Sequence, residues 1–250
     1  MTETPVDLQI VTDKVGKQAA RLGLVINSDK TQVMAISKDA KQLKIQLDGK
    51  DLQQVKEFVY LGGVVTEDGR CDADIKRRIG LTYASFSKLG NIWNSRSLPR
   101  QVKMKVFESM VMPILLYGSE CWTMRREDER RISVAEMNWL RRILGVTKRQ
   151  HIRNEEIRKR LGREETAVDK VKARRLQWFG HVSRMSGDRL PYLALHTKLE
   201  GTRSRGRQRA RWRDDVRRDI EDRGLKFPEA LTLVNERQRW REFVRPHRRN

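Results

Sequence analysis

The sequence is poor in the residues that build disulfide frameworks and zinc sites. Its 250 residues contain two cysteines, Cys71 and Cys121, and four histidines that lie far apart. Two cysteines cannot form a disulfide framework, and neither lies within metal-ligand spacing of a histidine or of the other cysteine. The sequence also has no Gly-rich phosphate loop, and nothing in it suggests a Ser-His-Asp or Cys-His catalytic group.

Long apolar runs are absent as well. The longest run covers residues 111–117 and is interrupted by Pro113, whereas a span across a bilayer needs about 20 residues. The N-terminus has no basic region followed by an apolar one, so no secretory signal is visible. We therefore expect an intracellular protein, in the nucleus or the cytoplasm, with no membrane partner.

Positive charge is what the sequence has in excess. Lys and Arg together number 54 against 33 Asp and Glu, which gives a net charge of +21. Residues 1–70 are neutral overall, residues 71–150 carry +8, and residues 151–250 carry +13 with 23 arginines. A surplus of this size indicates a polyanionic partner, and arginine binds phosphate in bidentate fashion. The composition therefore predicts RNA and/or DNA as the partner and leaves the oligomeric state open.

Hydrophobic periodicity predicts an α+β protein, with a small N-terminal helix-plus-antiparallel-sheet part followed by a mostly helical remainder. The N-terminal part is expected to begin with a helix from Pro5 to about Leu22. Short strands should follow at 24–27, 31–37 and 43–47, with a hairpin turn at Asp48-Gly49 and a further strand at 58–65.

Apolar stripes at helical spacing run from Ile75 to Trp93, from Leu98 to Tyr117, and from Ile132 to a stop at Gly145. Pro113 should kink the second helix or end its regular part near Met112. Shorter helices are expected at about 153–161, 164–185, 207–223 and 228–244.

An alternating arginine run is the clearest candidate for a nucleic-acid contact. It comprises Arg203, Arg205, Arg207, Arg209, Arg211 and Arg213. If this stretch is extended, all six side chains point to one side about 6.6 Å apart, which roughly matches every second phosphate of a strand. The alternative is a solvated linker, and the binding surface would then lie on the helices around Arg77, Arg78, Arg141 and Arg142.

Other residues could contribute to a site. Trp178 could stack on a base, although core packing beside Phe179 and Val182 is the favoured use. Asp72 with Asp74, and Asp214 with Asp215, are carboxylate pairs that could hold Mg²⁺. We favour structural roles for both pairs, because Asp72 stands where a helix needs an N-cap and the other pair follows six arginines. We therefore assign no metal site.

Six blocks follow one another along the chain in a specific order. They read LGLVINSDKTQVM at 22–34, FVYLGG at 58–63, PILLYGSECW at 113–122, LRRILG at 140–145, WFGHVSRM at 178–185 and GRQRARW at 206–212. Together they resemble the C-terminal part of the reverse transcriptase of non-LTR (LINE-like) retrotransposons. The resemblance covers nearly the whole chain.

The resemblance implies that residues 1–70 are the end of a polymerase palm, that 71–150 form a helical thumb, and that 151–250 form an Arg-rich nucleic-acid-binding region. Lys30, in the block similar to motif D, would lie near the phosphates of the incoming nucleotide and could protonate the departing pyrophosphate. A lysine suits this role, because its cation favours a phosphate. Tyr60, Leu61 and Gly62 match the primer-grip hairpin, which holds the 3′ end of the primer.

The sequence departs from that family in one important respect. A polymerase needs two Mg²⁺ ions held by carboxylates, and the family supplies them from palm strands upstream of the helix that here begins near Pro5. We expect a truncated element, or a gene model that begins midway through one. Such a fragment of an RNA-directed DNA polymerase would be inactive alone but would keep template–primer or RNA binding. It would need no cofactor, because Mg²⁺ is expected only for the full-length enzyme. The alternatives are a repurposed nucleic-acid-binding or interaction protein and, less favoured, a metal-dependent nuclease.

Overall fold

A computed structural model describes residues 2–36, 42–197 and 210–245. The predicted α+β class is confirmed: short β-ladders lie in the N-terminal part, and the rest is helical. The chain divides into two compact units, Met1–Asp74 and Ile75–Asn250. We call them the N-terminal unit and the helical unit. Within the described residues, no helix is both long and apolar enough to cross a membrane.

The N-terminal unit begins with helix α1 (Pro5–Arg21), as predicted. The side chain of Thr4 caps it by accepting a hydrogen bond from the backbone N–H of Asp7 at 3.1 Å. The strands that follow are β1 (Gln32–Val33), β2 (Gln46–Leu47), β3 (Lys50–Asp51), β4 (Gln53–Gln54), β5 (Glu57–Tyr60) and β6 (Gly63–Thr66). They pair two by two: β2 with β3 and β5 with β6 are antiparallel, whereas β1 and β4 are parallel.

Several predictions for the N-terminal strands need correction. No strand forms at 24–27, and of the strand predicted at 31–37 only Gln32–Val33 forms, with Ser37 outside the described residues. The single strand predicted at 58–65 is wrong, because the chain turns there to make the β5–β6 hairpin. Leu61 (φ 46°) and Gly62 (φ 80°) form that turn. A leucine in the left-handed region is uncommon, which is why the turn is hard to read from the sequence.

The core of the N-terminal unit is small. It consists of Val33, Ile45, Leu47 and Leu52, with Leu8 of α1 packed against it. No residue of α1 is buried. Four of its apolar side chains are between 44% and 69% exposed, namely Val6, Ile10, Val11 and Val15. The helix therefore contributes little to the core beyond Leu8.

The helices that follow the N-terminal ladders are α2 (Asp72–Lys88), α3 (Gly90–Asn94), α4 (Arg100–Val106), α5 (Met112–Leu116), α6 (Arg126–Leu144), α7 (Asn154–Arg160), α8 (Ala167–Ser183), α9 (Leu190–His196), α10 (Trp212–Glu221), α11 (Phe227–Leu233) and α12 (Arg237–Val244). A π-helical turn, Phe107–Val111, joins α4 to α5. It lies just before Pro113, where the kink was predicted, and π turns are a common way to bend a helix.

Two of the predicted helices are each divided into two shorter helices. The stripe from Ile75 to Trp93 divides into α2 and α3, and the helix predicted at 228–244 divides into α11 and α12. In one straight helix Val234 and Trp240 would point in different directions, because six residues turn it by about 600°. The turn between α11 and α12 lets both side chains enter the same core.

The helical unit buries two sets of aromatic residues. Phe86, Trp93, Phe107 and Trp139 form the first, in which the rings of Phe86 and Trp93 stack with centroids 4.6 Å apart. The second joins α8 with α10, α11 and α12, and includes Phe179, Phe227 and Trp240. The predicted boundary between a thumb and a C-terminal region at residue 150 stays a prediction.

Candidate nucleic-acid interface

Helix α6 has one buried face and one outward face. The buried face carries Ile132, Glu136, Trp139, Leu140 and Ile143. Between Arg126 and Arg142, the residues on the opposite side of the helix face outward. The helix ends at Gly145, whose φ of 76° is the left-handed conformation typical of a helix stop.

Two depressions follow that outward face. The first has a volume of about 780 Å³ and is lined by Lys76, Ile79 and Tyr83 of α2 and by Arg126, Glu127, Arg130, Arg131, Val134 and Ala135 of α6. The second, of about 490 Å³, is lined by Asn94, Asn138, Arg141, Arg142, Gly145, Val146 and Lys148. Asn138 Nδ2 donates a hydrogen bond to Tyr83 Oη at 2.9 Å, which connects a wall of one depression to a wall of the other. We call the two depressions together the α6 groove.

The charge of the α6 groove is strongly positive. Its lining contains seven cations and one carboxylate, Glu127, whose Oε1 lies 2.5 Å from Nη2 of Arg131. Four cations have no acidic partner within the described part of the chain: Arg126, Arg130, Arg142 and Lys148. Arg141 donates to Asn154 Oδ1 at 2.7 Å, a bond that orients its guanidinium without neutralising it.

Helix α6 is long enough for a nucleic-acid strand to pass both depressions. From Arg126 to Gly145 the helix rises by about 28 Å, and phosphates follow one another about every 3.4 Å along a strand of duplex DNA. A strand that contacts both depressions therefore extends over several phosphates, far more than a small anion would occupy.

Buried ionic contacts hold the opposite face of α6. Glu136 Oε1 accepts hydrogen bonds from Nε and Nη2 of Arg163 at 3.0 and 2.7 Å, and from the backbone N–H of Ala167 at 2.9 Å. Burial raises the pKa of Glu136 to about 7, and the guanidinium of Arg158 opposes that rise. Burial lowers the pKa of Arg163 to about 10, so its side chain remains cationic at neutral pH. These bonds fix α6 against the start of α8 and so fix the direction of its outward face.

The predicted arginine run lies mostly beyond the described residues. Arg203, Arg205, Arg207 and Arg209 fall in the range 198–209, which the structure does not describe. Arg211 and Arg213 are exposed at the beginning of α10. The guanidinium of Arg213 lies over the ring of Phe227, 5.7 Å from its centroid. Because Arg213 lies in helix α10, the extended arrangement is wrong for its side chain, whereas for Arg203, Arg205, Arg207 and Arg209 it stays a prediction.

Trp178 is half-buried rather than part of the core. Its ring lies 5.4 Å from that of His181, one helical turn further along α8, and His181 is exposed. The core packing favoured for Trp178 from the sequence is therefore wrong, and the core position belongs instead to its neighbour Phe179, which is 1% exposed. A role for Trp178 in stacking on a base stays a prediction.

The residues suggested by the polymerase resemblance are exposed in the N-terminal unit. Lys30 extends into solvent, and its backbone N–H donates to Asn27 Oδ1 at 3.0 Å. Tyr60 and Leu61 are 63% and 74% exposed at the tip of the β5–β6 hairpin, where Gly62 completes the turn. Their assignment as a pyrophosphate-side lysine and a primer grip stays a prediction.

The carboxylate pairs have structural partners. Asp215 is fully buried, and its Oδ2 accepts hydrogen bonds from Arg175 Nη1 at 2.7 Å and from the backbone N–H of Met124 at 2.9 Å. The arginines expected to pair with it were those just before it, whereas its partners are Arg175 and Arg218. Asp214 Oδ2 accepts from the backbone N–H of Arg211 at 2.9 Å.

The second pair lies at the start of α2. Asp72 is the first residue of that helix rather than the cap before it. Asp74 Oδ1 accepts from the backbone N–H of Val64 at 3.0 Å. In the described ranges, no three His, Cys, Asp or Glu side chains come together in a way that could hold a metal ion.

Part of the α6 groove was not predicted from the sequence. Arg141 and Arg142 were predicted and line the groove, whereas Arg78, predicted with them, is 6% exposed and lies over the ring of Tyr117 at 4.4 Å. Arg126, Arg130 and Lys148 were not predicted. The signal was available, because Arg126 and Arg130 are four residues apart on the polar side of a strongly amphipathic helix.

Comparison with known proteins indicates a transposon origin for the chain. No family model matches the chain, and no solved structure matches it. It is 28% identical over 246 residues to a putative uncharacterized transposon-derived protein of Caenorhabditis elegans. The alignment covers 94% of this chain and 87% of the worm protein. This similarity supports a transposon origin for the chain.

Proposed function

We propose that this chain binds RNA or DNA through the α6 groove, as a fragment of a retrotransposon RNA-directed DNA polymerase that does not extend primers by itself. The observation that carries the proposal is the set of four cations that have no acidic partner in the described part of the chain, Arg126 and Arg130 in the first depression and Arg142 and Lys148 in the second. Arg126 and Arg130 lie about one helical turn apart, and like charges at that spacing repel one another. A phosphate backbone lying along the groove relieves that repulsion.

The shape and composition of the groove favour a polynucleotide over other anions. Its two depressions lie along a helix about 28 Å long, and the first of them also contains a half-buried tyrosine, Tyr83, and the half-exposed Val134. Aromatic and apolar side chains between cations suit a ligand that alternates phosphates with sugars and bases. The net charge of +21 adds long-range attraction to any nucleic acid.

The polymerase part of the proposal has a separate basis. It rests on the six ordered sequence blocks and on the similarity to a transposon-derived protein. The β5–β6 hairpin is compatible with a primer grip, because Tyr60 and Leu61 are 63% and 74% exposed at its tip.

A salt titration tests the binding site. Each phosphate contact contributes about −0.9 to the slope of log K against log salt for duplex DNA, and about −0.7 for a single strand. Replacing Arg126, Arg130, Arg142 and Lys148 by alanine should therefore make the slope shallower by up to about 3.6 units on a duplex and about 2.8 units on a single strand. Fluorescence polarisation of a labelled RNA and a labelled duplex, at several salt concentrations, measures the slope.

A matched variant controls for the loss of net charge. Replacing Lys14, Lys17, Lys50 and Lys56, which are all exposed in the N-terminal unit, removes the same charge from elsewhere. We expect this variant to bind with nearly the wild-type slope. If the two variants lose affinity and slope equally, the chain binds nucleic acid by its overall charge and the α6 groove is not the site.

Two activity assays address the remaining alternatives. A poly(A)–oligo(dT) extension assay should show no nucleotide incorporation above a control without protein. Plasmid incubated with Mg²⁺ or Mn²⁺ should stay uncut, because Asp215 is buried in an ion pair with Arg175. Incorporation would mean that the chain is a polymerase, and cleavage that is lost in Asp72→Asn or Asp74→Asn would support the nuclease alternative.

A further inference from the structure

Phe227 connects the C-terminal core to two exposed arginines. It is the first residue of α11 and is 7% exposed, and its ring centroid lies 6.0 Å from that of Phe179. The guanidinium carbons of Arg213 and Arg217 lie 5.7 and 5.0 Å from the same ring centroid. A cation within about 6 Å of an aromatic centroid is attracted to the ring. One buried ring therefore supports two surface guanidiniums.

The two arginines belong to the outward side of α10. That helix buries Val216 and Ile220 together with Asp215 and Asp219, while Arg213 and Arg217 are exposed. Both buried carboxylates bond to Arg175. Within the part of the chain that the structure describes, neither Arg213 nor Arg217 has an acidic partner.

This arrangement costs free energy unless an anion is bound. Arginines four residues apart on a helix are neighbours, with Cβ atoms about 5–6 Å apart, and like charges at that spacing destabilise the helix. Contact with Phe227 restricts their rotamers and leaves the N–H groups at the guanidinium edges available. A planar guanidinium in a fixed orientation is well suited to bidentate binding of a phosphate.

We propose that Arg213 and Arg217, supported by Phe227, form a phosphate-binding pair that takes two neighbouring phosphates of a nucleic-acid strand. Phe227 is a positioning residue, since it acts through the two arginines. The inference rests on the proposed nucleic-acid function and adds a second contact site outside the α6 groove. A polynucleotide fits better than a single phosphate, because Arg213 is also the last of the six alternating arginines that begin at Arg203 in the sequence.

The first test removes the pair in the full-length chain and compares it with a matched pair. Arg237 and Arg241 on α12 are also exposed and four residues apart, and no aromatic ring supports either of them in the described structure. With fluorescein-labelled oligo(dT), Arg213→Ala with Arg217→Ala should make the salt slope shallower by about 1.4, the value for two phosphate contacts on a single strand. Arg237→Ala with Arg241→Ala should change the slope by much less.

Substitution of Phe227 separates positioning from folding. Phe227→Leu keeps both arginines and an apolar side chain but removes the ring face, whereas Phe227→Tyr keeps the face. We expect Phe227→Leu to make the salt slope shallower and Phe227→Tyr to restore it, both measured well below each variant's melting temperature. If Phe227→Leu lowers only the melting temperature and leaves the slope unchanged, Phe227 is a core residue without a positioning role.

The outcomes distinguish this inference from the function on which it rests. If wild-type protein binds neither RNA nor DNA in a salt-dependent way, the proposed function and this inference both fail. If wild-type protein binds, the α6-groove variant is impaired, and the Arg213–Arg217 variant matches the Arg237–Arg241 variant, only the phosphate-binding pair is wrong. Loss of slope in the Arg213–Arg217 variant with a wild-type circular dichroism spectrum supports the pair.

Discussion

Gly180 of α8 and Trp240 of α12 lie too close together for any side chain at position 180. A Cβ built on Gly180 would lie 2.5 Å from Cδ1 and 2.9 Å from Cε2 of the Trp240 indole, and closer still to Nε1. The indole Nε1 donates a hydrogen bond to the carbonyl of Leu176 at 3.2 Å, one turn earlier on α8. The absence of a side chain at Gly180 thus allows Trp240 of α12 to pack directly against α8.

Gly180→Ala should destabilise the helical unit by about 2–3 kcal/mol, because the added methyl group overpacks a buried contact. Gly80→Ala in α2 is a matched control, since a Cβ there meets nothing within 4 Å and an alanine in a helix is favoured by about 0.5–1 kcal/mol. Urea denaturation measures both. If Gly180→Ala is as stable as the wild type, α12 does not pack against α8 at this glycine.

Arg175 is a buried cation that holds two buried carboxylates. Its Nη1 lies 2.7 Å from Asp215 Oδ2 and its Nε lies 2.9 Å from Asp219 Oδ2, while Nη1 also donates to the carbonyl of Trp122 at 2.8 Å. Arg175→Met should cost about 3–5 kcal/mol, because removing one partner leaves uncompensated buried charge. The urea midpoint of the helical unit measures the loss.

An exposed ion pair provides the comparison for Arg175. Arg160 and Glu156 pair at 2.6 Å one helical turn apart, with both side chains over 40% exposed. Arg160→Met should therefore cost less than about 1 kcal/mol. In addition, Arg175→Met combined with Asp215→Asn and Asp219→Asn should cost less than the sum of the separate changes, because the three side chains form one network. Additive costs would mean that they act independently.

The N-terminal unit should open more easily than the helical unit. Its core has four buried apolar residues, and no residue of α1 is buried. Segments with few buried contacts open at low free energy. Hydrogen exchange should therefore be faster for the backbone amides of α1 than for those of α6. Equal protection of the two helices would show that α1 is held by contacts beyond Leu8.

Leu61 should be a destabilising residue in its own hairpin. Its φ of 46° lies in the left-handed region, where a side chain other than Gly, Asn or Asp costs about 1–2 kcal/mol. Leu61→Asn creates the Asn-Gly pair that such two-residue turns prefer, and should slow proteolysis of the β5–β6 hairpin. If Leu61 belongs to a primer grip, the same variant should also bind a template–primer duplex more weakly, whereas Lys50→Ala in β3 should not.

The regular parts of the fold were readable from the sequence. Pro5 and Gly145 mark helix ends through their own backbone geometry, and Asp48-Gly49 is a turn signal that needs no tertiary contact. The hairpin at Leu61 was harder to predict, because a leucine does not favour the left-handed backbone conformation that the turn requires. The division of 228–244 into two helices depends on Val234 and Trp240 reaching one core, and tertiary packing of that kind has no local signal.

The candidate site could be predicted only in part, because tertiary packing decides which of its residues are exposed. Arginine density drew attention to the positively charged helices, but it gave no means of separating Arg78, which is buried, from Arg142, which is exposed. The partner of Asp215 could not be found either. Its ion pair with Arg175 joins residues 40 positions apart, and the local arginines offered a nearer but incorrect solution.

Arg175 precedes its two carboxylate partners in the chain and is therefore synthesised before them. Asp215 and Asp219 are translated 40 and 44 residues after Arg175. At about 5–20 residues per second, this interval lasts roughly two to eight seconds. Throughout it, α8 carries a cation that its final environment cannot accept without the later residues. The helical unit therefore completes its core only after α10 has left the ribosome.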